Sequence, residues 1–333
     1  MSVLLSIVIP SYNGEKTIKK VLDNLCTQIN RAKLDKLVEI VITDDCSNDK
    51  TISIAKKFVK KFGFLHLFKN KKNLGMDKNF LQSMHNASGT YIWFCGQDDE
   101  ILSGAIAVVS DLVKDSDKIQ NIYLDFSQFD EQKKLTVCQS MIDRQLLKPI
   151  NKEVIYTTGA SDYFSVISDS PSFLPATIVK FDKRIMRKLR PFIGTHYVQY
   201  AYFTLCLNMG QTIILKKQLV RGPIPEDGWQ KNGNSLYNIA IGKLYCQFLL
   251  NNNYDKIFPT ILLERKKEEF IANYFKLLLL SFFYGLTEIN GAKKQLFQIF
   301  DSGIQKNYIV LVNAPFQIAI LLKKKLLGRN KFV

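Results

Sequence analysis

Short apolar runs alternate with amphipathic segments in the N-terminal part of the chain. Residues 4–10 form one apolar run, and similar runs recur at residues 38–43 and 91–95. The segment after the first run repeats apolar residues at helical spacing, at Ile18, Val21, Leu22 and Leu25. Strand, polar loop and helix in repeated order are typical of a parallel sheet covered by helices. The pattern therefore predicts an α/β fold.

Polar and acidic side chains follow each of these apolar runs. In open α/β sheets, ligands bind beyond the carboxyl ends of the strands. The residues expected to share that edge are Tyr12, Asn13, Asp44, Asp45, Asp98 and Asp99. Mg²⁺ and Mn²⁺ prefer oxygen ligands and are commonly held by one or two carboxylates together with substrate phosphates. Adjacent acids at such an edge therefore indicate the chemistry of a nucleotide-sugar enzyme.

Four motifs in this order resemble the family 2 glycosyltransferases of the GT-A fold. They are IVIPSYNGE at residues 7–15, ITDDCSNDKT at 42–51, NLG with Asn79 at 73–79, and ASGTY to GQDD at 87–99. The residue sequence of the last motif is similar to that of the abequosyltransferase-like branch of the family, whose members build bacterial surface polysaccharides. The resemblance implies a Rossmann-like GT-A domain, mostly parallel with flanking helices, over residues 1–220. Its nucleotide-sugar half would span about 1–110 and its acceptor half about 111–220.

The resemblance also implies roles for single residues. Asp99 would bind the metal, and Asp98 would bind the donor sugar or a metal-bound water. Gln97 stands where this branch often has aspartate, and its amide would contact a ribose hydroxyl. Pro10, Tyr12 and Asn13 would form the surface on which the nucleotide base rests, and Asp44 and Asp45 would contact the base and the ribose. Further donor contacts would come from Asn73, Gly75 and Lys78.

Simpler structural roles are open for the two acidic clusters. Asp98, Asp99 and Glu100 would complement the dipole of a helix that starts near Ser103. Asp45, together with Ser47 and Asn48, would cap a helix that begins near Thr51.

The catalytic base is harder to assign from the sequence. An inverting transferase needs a group that takes the proton from the acceptor hydroxyl. The segment where family members carry Glu-Asp corresponds to residues 192–200, which contain no acid but do contain His196. An imidazole can accept a proton near neutral pH. Glu226 and Asp227, in a turn-rich loop beside Trp229, are the other candidates, and Asp162 and Asp169 stay open.

The C-terminal part of the chain has a different pattern. Residues 173–179 and 213–220 read as the last strands, and long helical segments follow from about Ser235. The prediction is therefore a helical region over 221–333 that either covers the acceptor site or joins copies of the chain as a homo-oligomer. Beyond Asp301 the tail is basic, with apolar positions that suit either an interfacial helix on an anionic membrane or a helix packed on the domain.

Charge and cysteine content narrow the function classes. The formal charge of +16 fits acidic partners, but acids at three strand ends argue against nucleic acid because they repel phosphate. Six cysteines without a Cys-x-x-Cys spacing, and no signal-like N-terminus, predict a cytoplasmic protein. If the basic tail is an interfacial helix, the protein would be peripheral on the inner face of the cell membrane. A dehydrogenase would need a Gly-x-Gly-x-x-Gly turn after the first strand, which is missing.

The motifs, and the resemblance that they carry, imply a metal-dependent, inverting glycosyltransferase with Mn²⁺ or Mg²⁺ as cofactor. Its donor would be a nucleoside-diphosphate sugar. Its acceptor would be a glycan, linked to a lipid such as undecaprenyl diphosphate, in O-antigen, capsule or other surface polysaccharide synthesis. The alternatives are a non-catalytic nucleotide-sugar-binding relative and a sugar nucleotidyltransferase.

Overall fold

The structure is a computed structural model that describes residues 2–114, 117–130, 135–138 and 140–223. The chain divides into two units, Met1–Ile224 and Pro225–Val333, and the described residues all lie in the first. The predicted boundary at residue 220 stays a prediction, although the last strand continues through Pro223. The predicted C-terminal helices, the basic tail, and Glu226 and Asp227 lie outside the described residues.

The strands of the described part carry the apolar runs of the sequence. In chain order they are β1 (Leu5–Ser11), β2 (Val38–Asp44), β3 (Leu65–Lys69), β4 (Tyr91–Phe94), β5 (Glu100–Ile101), β6 (Ile119–Asp130), β7 (Leu135–Cys138), β8 (Val154–Thr158), β9 (Thr177–Lys180) and β10 (Gln211–Pro223). The central strands β1, β2 and β4 are buried along almost their whole length. Burial of both faces explains why their sequences are continuous apolar runs rather than alternating patterns.

The helices of the described part lie between these strands. They are α1 (Ile18–Arg31), α2 (Thr51–Lys61), α3 (Met76–Asn86), α4 (Ala105–Lys114), α5 (Met141–Gln145), α6 (Ala160–Val166), α7 (Lys183–Lys188) and α8 (Val198–Cys206). The predicted apolar face of α1 is confirmed, since Ile18, Val21, Leu22 and Leu25 are buried. Fully burying one such side chain contributes about 1.5–3 kcal/mol, so this face fixes the helix on the sheet.

The strands form one sheet in the order β3-β2-β1-β4-β9-β6-β10-β5, with β7 beside β6 and β8 beside β10. Strands β3, β2, β1 and β4 are parallel. Strand β9 is antiparallel to both β4 and β6, and β6 is parallel to β10. The carboxyl ends of the parallel strands therefore lie at one edge, together with the start of β9. The prediction of a mostly parallel α/β sheet is confirmed.

The predicted strand over residues 173–179 is partly wrong. Leu174–Ala176 is a short 3-10 turn, and the strand begins only at Thr177. Pro175 lies inside this turn and lacks a backbone N–H for a sheet hydrogen bond. Its carbonyl oxygen instead accepts a hydrogen bond from the indole Nε1 of the buried Trp93 at 2.8 Å. The turn is thereby anchored to β4 beside the candidate site.

Within the residues that the structure describes, no helix combines the length and apolar character needed to cross a bilayer. The membrane contact predicted for the basic tail falls outside this part of the chain.

Candidate active site

The loops after β1 and β2 are joined by backbone-to-side-chain hydrogen bonds. The N–H of Asn13 donates to Ser47 Oγ at 2.9 Å, and the N–H of Asn48 donates to Asn13 Oδ1 at 3.0 Å. Asn13 holds a left-handed conformation with φ 49°, which asparagine tolerates better than most residues. Tyr12, beside it, is 44% exposed. The predicted wall of the base site is thus a fixed double loop with one free aromatic face.

Asp44 supports this double loop from inside. Its carboxylate accepts hydrogen bonds from the N–H of Ser47 at 2.9 Å and from the Ser47 hydroxyl at 2.5 Å. The residue is fully buried. Asp44 therefore stabilises the loop from within, and its contact with a donor stays a prediction. Burial also explains why the carboxylate needs its two donors, since an unpaired charge would be costly to desolvate.

Asp45 fastens the loop after β3. Its Oδ1 accepts from Asn70 Nδ2 and from the N–H of Leu74, both at 2.8 Å, and its Oδ2 accepts from the N–H of Gly75 at 2.9 Å. Asn73 Oδ1 accepts from the same Gly75 N–H at 2.9 Å. The predicted donor residues Asn73 and Gly75 are therefore brought to Asp45, and contact of this group with a donor stays a prediction.

The suggested capping role of Asp45 is wrong, and Asp49 has it instead. Asp49 Oδ1 accepts from the N–H and the hydroxyl of Thr51, the first residue of α2. Its Oδ2 accepts from the N–H of Glu15 at 3.0 Å, and these hydrogen bonds lower the pKa of the Asp49 carboxyl. Asp49 thus both caps α2 and ties the β1 loop. In the sequence, the only sign of the capping role is that Asp49 stands two residues before Thr51, where the helix begins.

Gln97 holds the acidic loop against the end of β1. Its Oε1 accepts from the Ser11 hydroxyl at 2.7 Å and from the N–H of Tyr12 at 3.1 Å, and its Nε2 donates to the Tyr12 carbonyl at 3.0 Å. An aspartate at this position would be shorter and could not donate to that carbonyl. The amide keeps a second hydrogen, so the predicted contact with a ribose hydroxyl stays a prediction. Gly14 makes room for this contact, because a Cβ there would lie 2.3 Å from Gln97 Oε1.

Asp98 and Asp99 lie side by side after a sharp turn at Gly96. Asp99 Oδ2 accepts from the Gly96 N–H at 2.6 Å, and a Cβ at Gly96 would lie 2.6 Å from that oxygen. Loss of water, and next the charge of Asp98, raise the pKa of Asp99 to about 8. Asp98 is exposed on one side, but partial loss of water around its carboxyl group also raises the pKa of Asp98. Two carboxylates that resist joint ionisation form a site where a cation would be strongly favoured.

The alternative role of these acids at a helix start is wrong. Helix α4 begins at Ala105, and β5 lies between the acids and the helix. Glu100, in β5, pairs across the sheet with Arg221 of β10 and accepts from its Nη2 at 2.5 Å and its Nε at 2.9 Å. The acidic loop is thus fixed at both ends, by Gln97 at β1 and by Glu100 at β10.

A cleft of about 280 Å³ opens beside the acids. It lies between the start of α1, the acidic loop and the ends of β6 and β10. Its lining residues are Lys16, Thr17, Lys20, Val21, Asn24, Asp98, Asp99, Glu100, Phe129, Arg221 and Gly222. The basic residues among them were missed by sequence reasoning, because only the fold brings α1 and β10 next to the acids.

The donor set fits a hard divalent cation that is completed by a ligand. Across the described residues, no group of three or more His, Cys, Asp and Glu side chains is arranged to enclose a metal ion. Mg²⁺ and Mn²⁺ rarely need such a cage, since one or two carboxylates with substrate phosphates commonly suffice. The close pair Asp98 and Asp99, at an open cleft, meets that requirement.

His196 lies on a loop that Asp77 holds from the start of α3. Asp77 Oδ2 accepts from the N–H groups of Gly194 at 2.6 Å and His196 at 3.0 Å. His196 is exposed and has φ 64°. Since Asp77 follows Gly75 by two residues, this loop lies at the same sheet edge as the Asp45 group. Lys78 is exposed in the same first turn of α3.

The other two open candidates for the base differ in surroundings. Asp162 Oδ2 accepts from the N–H of Thr158 at 2.7 Å in the first turn of α6, which is a capping role. Asp169 accepts from the Tyr200 hydroxyl at 2.5 Å, and Tyr200 belongs to α8, just after the His196 loop. Asp169 is therefore hydrogen-bonded to the helix that follows the His196 loop.

Residues 6–165 match the family model described as Glycosyl transferase family 2. This segment carries the sequence of a family 2 glycosyltransferase domain. This domain is 31% identical over 122 residues to abequosyltransferase RfbV of Salmonella typhimurium, an alignment that covers 36% of this chain and 35% of that protein. The chain spans about a third of the length of the curated relatives it matches first.

Solved structures of glycosyltransferases share the fold of this domain. Residues 1–349 of Staphylococcus aureus TarS in complex with UDP-GlcNAc align with a TM-score of 0.61 at 14% identity, over 99% of this chain and 94% of that one. The mannosyltransferase PcManGT of Pyrobaculum calidifontis, in complex with GDP-Man and Mn²⁺, aligns with a TM-score of 0.54 at 14% identity, over 99% and 89%. The GT-A fold predicted from the motifs is confirmed.

Proposed function

We propose that the chain is a metal-dependent, inverting glycosyltransferase that moves a sugar from a nucleoside-diphosphate sugar to a glycan acceptor. The observation that carries the proposal is that Asp98 and Asp99 line a cleft. They directly follow Gln97, whose side-chain amide is hydrogen-bonded to the backbone of Tyr12. The loop proposed to hold the nucleoside and the loop with the acids for a diphosphate-bound cation are thus joined directly by the hydrogen bonds of Gln97 to Tyr12. The solved neighbours in complex with UDP-GlcNAc and with GDP-Man support a nucleotide-sugar donor.

The residues of the chain would divide the work of binding. Tyr12 offers its exposed ring to the base, and Asn13 and Ser47 keep the double loop in place. A divalent cation on Asp98 and Asp99 would supply positive charge against the negative charge that builds on the departing diphosphate. Support for Mn²⁺ in this role comes from the Mn²⁺ complex of the archaeal mannosyltransferase.

His196 would act as the base. Its loop occupies the position where the resemblance places the family's acid, and Asp77 fixes that loop at the sheet edge. The imidazole would take the proton of the acceptor hydroxyl while the hydroxyl oxygen attacks the anomeric carbon from the face opposite the diphosphate. Attack from that face inverts the configuration of the sugar.

The acceptor is proposed as a lipid-linked glycan of a bacterial surface polysaccharide. Support comes from the resemblance to the abequosyltransferase-like branch and from the 31% identity to an abequosyltransferase. The basic, partly apolar tail in the sequence beyond Asp301 favours a membrane-bound acceptor as well.

A thermal-shift screen of nucleotide sugars with and without Mn²⁺ tests the proposal. A ligand that binds only the folded state raises its melting temperature, so at least one donor should stabilise the protein in a Mn²⁺-dependent way. Asp99→Asn should abolish that shift. Asp23→Asn is the control, because Asp23 is exposed and paired with Lys19 away from the cleft. A shift that survives in Asp99→Asn would overturn the assigned metal site.

A non-catalytic nucleotide-sugar-binding protein is the second candidate. The observation in its favour is the loop over residues 193–197, which has no carboxylate where the family carries its acid. Turnover separates the two candidates. The transferase should release nucleoside diphosphate from the donor found in the screen, and a binding protein should leave that donor intact.

A further inference from the structure

The cleft beside Asp98 and Asp99 has a basic wall on its opposite side. Lys16 lies in the turn that leads into α1, and Lys20 lies in the first turn of that helix. They are four residues apart, so they share one side of the helical turn, and both line the cleft. Both side chains belong to exposed residues and are free to reach a ligand.

Neither lysine has an acidic partner in the part of the chain that the structure describes. Lys19, between them, is paired with Asp23 at 2.6 Å, and Arg221 on the far side of the cleft is paired with Glu100 at 2.5 Å. The lysines and the two acids thus face the same space without forming ion pairs. A ligand that places a cation near the acids and an anion near the lysines would match both walls.

A count of charges indicates which anion fits. Arg221 and Glu100 cancel each other, and a divalent cation would cancel Asp98 and Asp99. Lys16 and Lys20 then leave two positive charges in the cleft. The diphosphate of a nucleotide sugar carries two negative charges before transfer, and it gains a third when the sugar leaves.

We propose that Lys16 and Lys20 bind the diphosphate of the donor and stabilise it as it departs. This inference rests on the proposed function. In the transfer, the bond between the anomeric carbon and the diphosphate oxygen breaks, and its electron pair stays on that oxygen. The acceptor oxygen forms the new bond to the anomeric carbon, and its proton goes to the base. Both lysines line the cleft that holds the acids, so their ammonium groups would meet the extra negative charge that the diphosphate gains as the sugar leaves.

The test compares nucleoside diphosphates with monophosphates by calorimetry in the presence of Mn²⁺. The probes are the diphosphate and the monophosphate of each of uridine, guanosine, cytidine, adenosine and thymidine. The wild-type chain should bind one diphosphate more tightly than its monophosphate. Lys16→Ala and Lys20→Ala should each weaken diphosphate binding about tenfold, and the double variant should lose most of the preference over the monophosphate. Lys19→Ala, on the same helix but paired with Asp23, should keep it.

The outcomes separate this inference from the function on which it rests. A double variant that keeps the wild-type preference for the diphosphate overturns the role of the lysines and leaves the proposed transferase in place. A wild-type chain with no preference for any of these diphosphates over its monophosphate overturns the proposed function itself. Melting temperatures of the variants should equal that of the wild type, because exposed lysines at the start of a helix contribute little to stability.

Discussion

Asp77 and His196 are linked by a hydrogen bond of 3.0 Å between the carboxylate Oδ2 and the backbone N–H. The two residues are 119 positions apart in the chain. The same oxygen accepts from the Gly194 N–H at 2.6 Å, so one buried carboxylate defines the course of the whole loop. Asp77 lies in the first turn of α3, just after the residues that Asp45 holds, and so connects the expected donor side with the expected base.

Asp77→Ala should reduce turnover more than it reduces donor binding. Without the two hydrogen bonds the loop shifts, and a shift of about 1 Å at a catalytic group can cost about 100-fold in rate. Asp77→Asn keeps an oxygen that can accept both bonds and should retain most of the activity. Steady-state kinetics of the two variants would show kcat falling in the alanine variant with little change in KM. Equal loss in both variants would argue against the positioning role.

Asp99→Asn should make the metal-free protein more stable, and more so at higher pH. Burial and the Asp98 charge hold the folded-state pKa of Asp99 at about 8, above the value of about 3.9 in an unfolded chain. Between these values the folded state keeps a proton that the unfolded state releases, so the free energy of unfolding falls as pH rises. The side chain of the Asp99→Asn variant does not titrate, so the variant's free energy of unfolding does not fall with pH for this reason. Its melting temperature in EDTA should exceed that of the wild type by a few degrees more at pH 8 than at pH 5.

A gain in melting temperature that is constant over this range would show that Asp99 does not titrate as the structure indicates. Asp98→Asn is the matched comparison, because removal of its charge should lower the pKa of Asp99 and so stabilise the protein indirectly.

Gln97→Glu should destabilise the protein although it preserves size. The new carboxylate would face the Tyr12 carbonyl, to which the amide now donates at 3.0 Å. An unsatisfied or repelled polar group of this kind costs about 1–3 kcal/mol. Urea unfolding would measure the loss, with Gln82→Glu as control, since Gln82 makes a single contact to Asn86 within α3. Unchanged stability of Gln97→Glu would count against the clamp.

The pair Glu100 and Arg221 should contribute a small, salt-dependent stability. The side chains are 31% and 39% exposed, and exposed ion pairs are typically worth about 0.2–1 kcal/mol. A double-mutant cycle with Glu100→Gln and Arg221→Gln should give a coupling energy in that range. The coupling should shrink as sodium chloride is raised, because mobile ions screen exposed charges. A coupling well above this range would point to a larger structural role for the pair.

The sequence was sufficient for the parts of the fold that rest on local patterns. The apolar runs gave β1, β2 and β4, and helical spacing gave the buried face of α1. Sequence failed where a single residue overrides a pattern, as at Pro175, whose ring replaces the first part of a strand with a turn. It also misjudged Asp45, because a carboxylate near a helix start looks like a cap unless its partners in a distant loop are known.

The acids of the candidate site could be predicted from the sequence, but the residues that hold them in place could not. Asp98 and Asp99 follow a strand directly and could be recognised from position. Contacts such as Ser11 to Gln97, which are 86 residues apart, depend on which strands become neighbours. Lys16 and Lys20 carry no motif, and only the crossing of α1 over the sheet edge brings them to the cleft.

The amide clamp of Gln97 on Tyr12 has a thermodynamic consequence for ligand affinity. An amide carries no charge, so neither a proton nor an arriving cation alters its bonds to Ser11 and Tyr12. The loop that would receive the nucleoside is therefore immobilised during folding. A nucleotide that docks on a surface already ordered in this way loses little conformational entropy from the protein, and more of its contact energy is expressed as affinity.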